Sequence, residues 1–250
     1  VNKKRYFFEI AYDGTNFFGW QKQQNKISVQ QTIETVLSKI HSNKQINIIG
    51  CGRTDTGVHA KKYIFHADLQ YVENTQQLCY KINKMLPKTI SVKKCWEVNK
   101  QIHARYSATA RTYRYFLHFE KNPFKNNYSY YFPQEINIEK MNQAAQYLIG
   151  THDFTTFSKI NTDTKTYICT VFNAKWQYFI ENDEKICVFE YSADRFVRNM
   201  VRATVGTLLK VGQNKVSINE FISIFNDKDR QKCAPSAPPQ GLFLWNVKYK

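Results

Sequence analysis

The stretch GCGRTDTGVHA, residues 50 to 60, sets three glycines, one arginine and one aspartate between two apolar runs. An ionised carboxylate in so permissive a loop can serve as a nucleophile or a general base. Arg53, two residues from Asp55, would keep it charged and fix its orientation. Gly50, Gly52 and Gly57 would allow positive φ and the close approach of a ligand. The plainer reading of such an x-D-x-G run is a turn aspartate whose side chain caps local N–H groups.

Asp55-Thr56-Gly57 is also the active-site triplet of aspartic proteases, but those enzymes need two carboxylates sharing one proton. The nearest second copy, NTDTK at 161 to 165, lacks the glycine. Arg53 argues the same way, since a guanidinium favours the ionised carboxylate whereas the protease dyad must keep one carboxyl protonated. His59, His66 and His103 have no carboxylate or thiolate partners at ligand spacing, so they read as structural or RNA-facing and no metal is expected. Six cysteines, at 51, 79, 95, 169, 187 and 233, form no C-x-x-C, which argues against a zinc site or a disulfide framework and for buried thiols in a reducing cytosol.

The elements that must hold this loop follow from periodicity. RYFFEIAYDG reads as a strand ending at the turn Asp13-Gly14, and TNFFGWQKQ as an aromatic, basic loop. Ser28 and Gln31 make an S-x-x-Q capping box for a helix whose apolar stripe is Ile33, Val36, Leu37 and Ile40. INIIGCG, YIFHADLQ and ISVKKCWEV read as strands, and TQQLCYKINKML as a helix with Leu78, Ile82 and Met85 on one face, giving the order β-α-β-β-α-β. The second half alternates likewise. A strand at SATARTYRYFLHF precedes a helix with Met141, Ala144, Ala145 and Leu148 inward and Gly150 at its end. Strands at YICTVFNAKWQYF and KICVFEYSA, a helix over about 197 to 211, a second helix opened by the Ser217/Glu220 box, and a closing strand LFLWNVKYK complete it.

The chain of 250 residues carries 36 Lys and Arg against 20 Asp and Glu, a net charge of +16 spread over both halves, +10 for residues 1–107 and +6 for 108–250. That balance points to an acidic partner, nucleic acid first and an anionic membrane surface second. Sixteen Tyr and 18 Phe favour RNA, because aromatic rings stack on unpaired bases. No signal-peptide pattern and no run of about 18 apolar residues is present, so no membrane span is expected.

GRTDTGVHA resembles the GRTDAGVHA box of the tRNA pseudouridine synthase A family, Thr56 being its one departure. Further landmarks follow in order: YDGTNFFGWQKQ, SVQQTIE, IHARYSATARTYRYFL, HDFTTFSK, DRFVRNMVRATVGTLL and APPQGLFL, so the resemblance spans nearly the whole chain. It implies isomerisation of uridine to pseudouridine at positions 38, 39 and 40 of the tRNA anticodon arm, without a cofactor. Asp55 matches the catalytic aspartate, which attacks C6 of the base or C1′ of the sugar. Arg53 is similar to the arginine that fills the place of the displaced nucleotide, and Arg202 matches the one that pairs with the aspartate. Tyr113 matches the tyrosine that packs on the target base and helps remove the C5 proton. Leu242 and Leu244 lie where the family packs an aliphatic side chain on the other face of the uracil, and core packing is the alternative for both. Gln21, Lys22, Arg105, Arg111, Arg114, Arg195 and Arg198 are the candidate RNA contacts.

The fold so implied is α+β, the pseudouridine synthase fold. Two α/β domains of RRM or ferredoxin-like kind, 1–107 with the aspartate loop and 108–250 completing a cleft, would join mainly antiparallel sheets. The expected assembly is a cytoplasmic homodimer that presents one tRNA to both subunits. A catalytically silent RNA-binding protein of the same fold would be marked by loss of Asp55, Arg53 or Tyr113, and all three are present.

Overall fold

The computed structural model describes residues 3–159, 165–181 and 183–250, so all but the last residue of the NTDTK run lies outside the described residues. Two compact units divide the chain, Val1–Thr109 with Phe243–Lys250, and Ala110–Leu242. Residues 243–250, assigned by sequence order to the C-terminal half, thus cluster with the N-terminal unit.

The first unit runs β1 (Lys4–Tyr12), α1 (Val29–Ile40), β2 (Ile48–Gly50), β3 (His59–Leu69), α2 (Thr75–Met85) and β4 (Ile90–Val98). Strand β1 lies antiparallel between β3 and β4, and β2 pairs with the C-terminal half of β3. One face of β1 buries Tyr6, Phe8, Ile10 and Tyr12, and Phe8 stacks on Phe65 of β3 at 4.7 Å. Helix α1 buries Val29, Ile33, Val36 and Leu37, while Ile40 is half-buried. The Ser28 hydroxyl accepts from the Gln31 N–H, which is one bond of the expected box. Helix α2 is capped by Asn74 and buries Leu78, Cys79 and Ile82; Met85, expected on that face, is exposed because it ends the helix.

The second unit contains β5 (Ala108–His118), β6 (Tyr130–Tyr131), α3 (Ile138–Gln146), β7 (Gly150–Asp153), β8 (Ile168–Glu181), β9 (Glu184–Ala193), α4 (Met200–Gly212) and α5 (Ile218–Asn226). Its strand order is β5-β9-β8-β7, all antiparallel, with β6 pairing parallel to β5. Met141, Ala144, Ala145 and Leu148 are fully buried. Helix α3 ends at Gln146, four residues before Gly150, whose φ of 108° opens β7 instead. Helix α4 begins at Met200 rather than near 197, because Asn199 before it adopts φ 70°, a left-handed turn that no helix continues through. Almost every α4 side chain is buried. Helix α5 carries the complete Ser217/Glu220 capping box. The last strand, β10 (Leu242–Tyr249), pairs parallel to the start of β3 through Phe243 with His59 and Leu244 with Ala60. Each unit is therefore a mainly antiparallel sheet with helices, the α+β class expected.

Candidate active site

Asp55 sits half-buried in the loop between β2 and β3, and the backbone around it is gripped from both sides. The Cys51 N–H donates to Ile64 O at 2.8 Å, and the Tyr63 hydroxyl donates to the Gly52 carbonyl. The Thr54 carbonyl accepts from the Trp20 N–H at 3.2 Å, and its buried hydroxyl shares a hydrogen bond with the Tyr12 hydroxyl at 2.8 Å. Beyond the aspartate, the Gly57 N–H donates to Phe17 O at 3.3 Å and the Val58 N–H to the Asp55 carbonyl at 3.2 Å. Trp20 stacks on Tyr63 at 4.0 Å beneath this loop. A carboxylate carried on a backbone fixed this way is pre-positioned for attack or proton transfer.

The glycine expectation needs correcting. Of the three in the loop only Gly57 has positive φ, 76°. Gly50 has no room for a Cβ because the Tyr63 hydroxyl and the Trp20 ring occupy the space, whereas a Cβ on Gly52 would meet nothing within 4 Å. The close approaches come from the preceding segment. Gly19, at φ 82°, would put a Cβ 2.5 Å from the Thr54 carbonyl oxygen, and Gly14 abuts the Val58 carbonyl. These glycines let residues 14–20 lie against the loop.

Arg53 also departs from expectation. It is exposed and makes no ion pair among the described residues, so it does not orient Asp55 here. It lines a cavity of about 160 Å³ together with Trp20, Gln21, Gln30 and Arg105. Gln21 and Arg105 are exposed, and the Arg105 guanidinium lies 5.6 Å from the Tyr106 ring. Lys22 is exposed too; its N–H donates to Gln30 Oε1 at 3.0 Å and its ammonium is 3.9 Å from Glu34. Leu244 is 1% exposed beside Ala60, the environment of a core residue.

In the second unit, Tyr113 is buried on β5 opposite Tyr191, with the Phe196 ring edge-on at 5.0 Å. Tyr115 shares its face and is fully buried, its hydroxyl donating to Pro238 O at 2.7 Å. Arg202, in the first turn of α4, donates from Nε to the Ala237 carbonyl at 2.7 Å, while the Ala237 N–H donates to the Arg202 carbonyl at 2.9 Å. That reciprocal pair fixes the guanidinium by its inner nitrogen. Leu242 is 5% exposed. Arg114 is bound to Glu190, with Nε at 2.9 Å and Nη2 at 2.7 Å, and Arg111 Nη1 donates to Asp194 O at 2.7 Å. Arg195 is half-buried and Arg198 exposed.

The three histidines are structural acceptors. His59 is buried, stacks on Phe243 at 4.5 Å and takes the Gly14 N–H on Nδ1 at 3.0 Å, fastening the turn after β1 to β3. His66 Nδ1 accepts from the Ala104 N–H at 3.1 Å, and burial, helped by Arg5 and His103, pushes its pKa down to about 4. His103 is lowered for the same reason, burial first, then Arg5 and Arg105. All six cysteines are buried and free. Among the described residues no group of three or more His, Cys, Asp or Glu is placed to hold a metal ion, and no helix is long and apolar enough to cross a membrane.

Sequence reasoning missed Tyr12, Trp20 and Tyr63 as the supports of the loop, and Tyr106 beside Arg105. The signal for the first group was the spacing of Gly14 and Gly19 in YDGTNFFGW, whose purpose shows only once Thr54 and Val58 are packed against them.

A single aspartate held on a pinned loop, in an α+β chain with basic side chains nearby, defines a class that sequence comparison makes definite. Residues 10–107 and 144–250 match the family described as tRNA pseudouridine synthase, and the chain belongs to that family, whose members are isomerases that turn uridine into pseudouridine. It is similar to the tRNA pseudouridine synthase A of Bacteroides thetaiotaomicron, 45% identical over 246 residues that cover 98% of this chain and 91% of that one. The enzyme of that name from Bacteroides fragilis is 44% identical, covering 100% of this chain and 98% of its own. That from Geobacillus sp. (strain WCH70) is 39% identical, covering 98% of each. A solved CRISPR endoribonuclease bound to a 19-nucleotide RNA overlays with a TM-score of 0.21 at 7% identity, over 83% of this chain and 96% of that one, too loose a likeness to bear on fold or function.

Proposed function

We propose that this protein converts uridine to pseudouridine at positions 38, 39 and 40 of the tRNA anticodon arm, with Asp55 as the nucleophile. The observation that carries the reading is the pinned, half-buried aspartate within a box that departs from the family's at Thr56 alone. The reaction breaks the bond between uracil N1 and ribose C1′, turns the base, joins C5 to C1′, and moves a proton from C5 to N1. Nothing is gained or lost overall, so no redox group is needed. An ionised Asp55 adds to C6 of the base or to C1′ of the sugar, and either adduct holds the base or the ribose while the other turns.

Arg202 pairs with the carboxylate in this scheme, which its anchoring on Ala237 supports by limiting the guanidinium's freedom. Tyr113 packs against the uracil and assists removal of the C5 proton, and Leu242 or Leu244 takes the other face of the ring. Arg53, exposed beside Asp55, fills the space an extruded nucleotide leaves in the stack. Gln21, Lys22, Arg105, Arg111, Arg114, Arg195 and Arg198 hold the RNA backbone; the exposed Arg105 and Arg198 are the best disposed, while Arg114 would first have to exchange Glu190 for a phosphate. The reading includes a homodimer, and a cytoplasmic location with which six free, buried thiols agree.

Carbodiimide mapping of an unmodified tRNA after incubation with the protein tests this. Reverse-transcription stops confined to uridines at 38, 39 and 40 are the expected outcome; stops elsewhere in the tRNA would refute the assigned substrate positions.

A further inference from the structure

The segment leading into β5, residues 99–107, has no regular secondary structure, yet most of its backbone N–H groups and several of its carbonyls are tied down. The Ile102 and Gln101 N–H groups fold back on Asn99, the former to its carbonyl and the latter to its side chain, both at 2.9 Å. Arg5 Nη1 donates to Ile102 O at 3.1 Å, and the same guanidinium is held by Asp68 through Nε at 2.8 Å and Nη2 at 2.9 Å. The Ala104 N–H goes to His66, and its carbonyl accepts from the Tyr249 hydroxyl at 2.7 Å. His103 then organises the turn. Its Nδ1 accepts from both the Arg105 and Tyr106 N–H groups, at 3.1 and 3.2 Å, while its own N–H and carbonyl bond Ser107.

What this scaffold presents is a pair of outward side chains, Arg105 and Tyr106. The Tyr106 ring rests on the His103 ring at 4.5 Å, and 76% of the residue remains exposed. An exposed aromatic on a floppy loop needs no explanation; one held by a rigid turn has already lost the entropy that a binding contact would otherwise cost. Its neighbour Arg105, whose guanidinium lies 5.6 Å from the ring, lines the same cavity as Arg53 of the catalytic box, so a cation stands between the ring and the active-site loop's cavity.

We propose that Tyr106 is a stacking platform for an unpaired base of the substrate tRNA, with Arg105 holding the adjoining phosphate. The inference rests on the tRNA-modifying reading above. A fixed ring with a guanidinium beside it suits a nucleobase on a polyanion better than an apolar protein surface, because the ring offers a π-face that any base can use and the cation matches the backbone.

The test compares wild type with Tyr106→Phe, Tyr106→Leu and Arg105→Ala for binding to an unmodified tRNA transcript, measured from 50 to 200 mM salt. Leu keeps apolar contact with His103 but has no π-face, and thermal melts establish that it is folded. Tyr106→Leu is expected to bind roughly 5- to 100-fold more weakly with an unchanged salt slope. Tyr106→Phe should bind within about twofold of wild type. Arg105→Ala should lower the slope by about 0.7 to 0.9 for the lost phosphate contact. Equal binding by Tyr106→Leu and wild type would overturn the stacking role, even with pseudouridine formation by wild type intact. A Tyr106→Leu protein that binds tRNA normally but no longer self-associates would overturn it in favour of a contact between copies. A wild type that binds no tRNA would remove the functional reading and the proposal with it.

Discussion

At the scale of single residues, the chain separates a reactive group from the groups that hold it still. Asp55 sits on a loop whose neighbours are occupied in bonding Tyr12, Tyr63, Trp20 and Phe17, so the backbone that carries its carboxylate is fixed, while Arg53 beside it is exposed and makes no ion pair among the described residues. His66 shows the same economy in reverse: it is a titratable side chain used as a fixed acceptor. Its pKa is lowered by burial to about 4, so the folded state binds fewer protons than the unfolded state between roughly pH 6.5 and 4. The stability that neutral His66 contributes is therefore complete above the unfolded value and declines as pH falls through that window, by at most about 1.4 kcal/mol per pH unit. Urea unfolding at pH 7.5, 6 and 5 should show a wild type that weakens on acidification and a His66→Gln variant that starts less stable but loses less; parallel pH profiles would contradict the role given to His66. Asp55, Arg53 and the basic candidates were legible in the sequence because they fall in contiguous words. Their supports were not, since Tyr12, Trp20 and Tyr63 meet the loop only through pairings between separated segments.

At the scale of elements, the position of the loop depends on the segment after β1. Gly19 has a left-handed φ and lies against the Thr54 carbonyl, so Gly19→Ala combines backbone strain with a steric overlap at the loop itself. The variant is expected to lose about 1–3 kcal/mol of stability and, at temperatures where it remains folded, to form pseudouridine more slowly than that loss alone explains. Wild-type melting and wild-type single-turnover rate together would show that this contact does not set the loop. Period and capping were enough to locate α1, α2, α3, α5 and most of the strands, β4 with its observed limits. What escaped was short or governed by single dihedral angles. Two-residue β6 and four-residue β7 have too few positions to show alternation, and the left-handed Asn199 delays α4 in a way no hydrophobic pattern encodes. Gly150 looked like a helix stop but serves as the bent first residue of a strand, a difference between two uses of the same positive φ.

At the scale of the whole molecule, the α+β class and the family were readable because the landmarks recur in order along almost the entire chain, and a charge of +16 agrees with a polyanionic substrate. The association of residues 243–250 with the first unit was not readable, since strand pairing between chain ends leaves no local mark. The central claim remains one of chemistry: uridine loses its C5 hydrogen at an enzyme whose nucleophile is Asp55. Release of tritium from tRNA labelled at uracil C5 follows that event directly, and binding of the same tRNA can be measured in parallel for wild type and Asp55→Asn. Wild type should release tritium, while Asp55→Asn should bind tRNA yet release it at least about a thousandfold more slowly, equivalent to roughly 4 kcal/mol of lost transition-state stabilisation. Tritium release by Asp55→Asn at the wild-type rate, or none from a folded wild type that binds tRNA, would contradict the account.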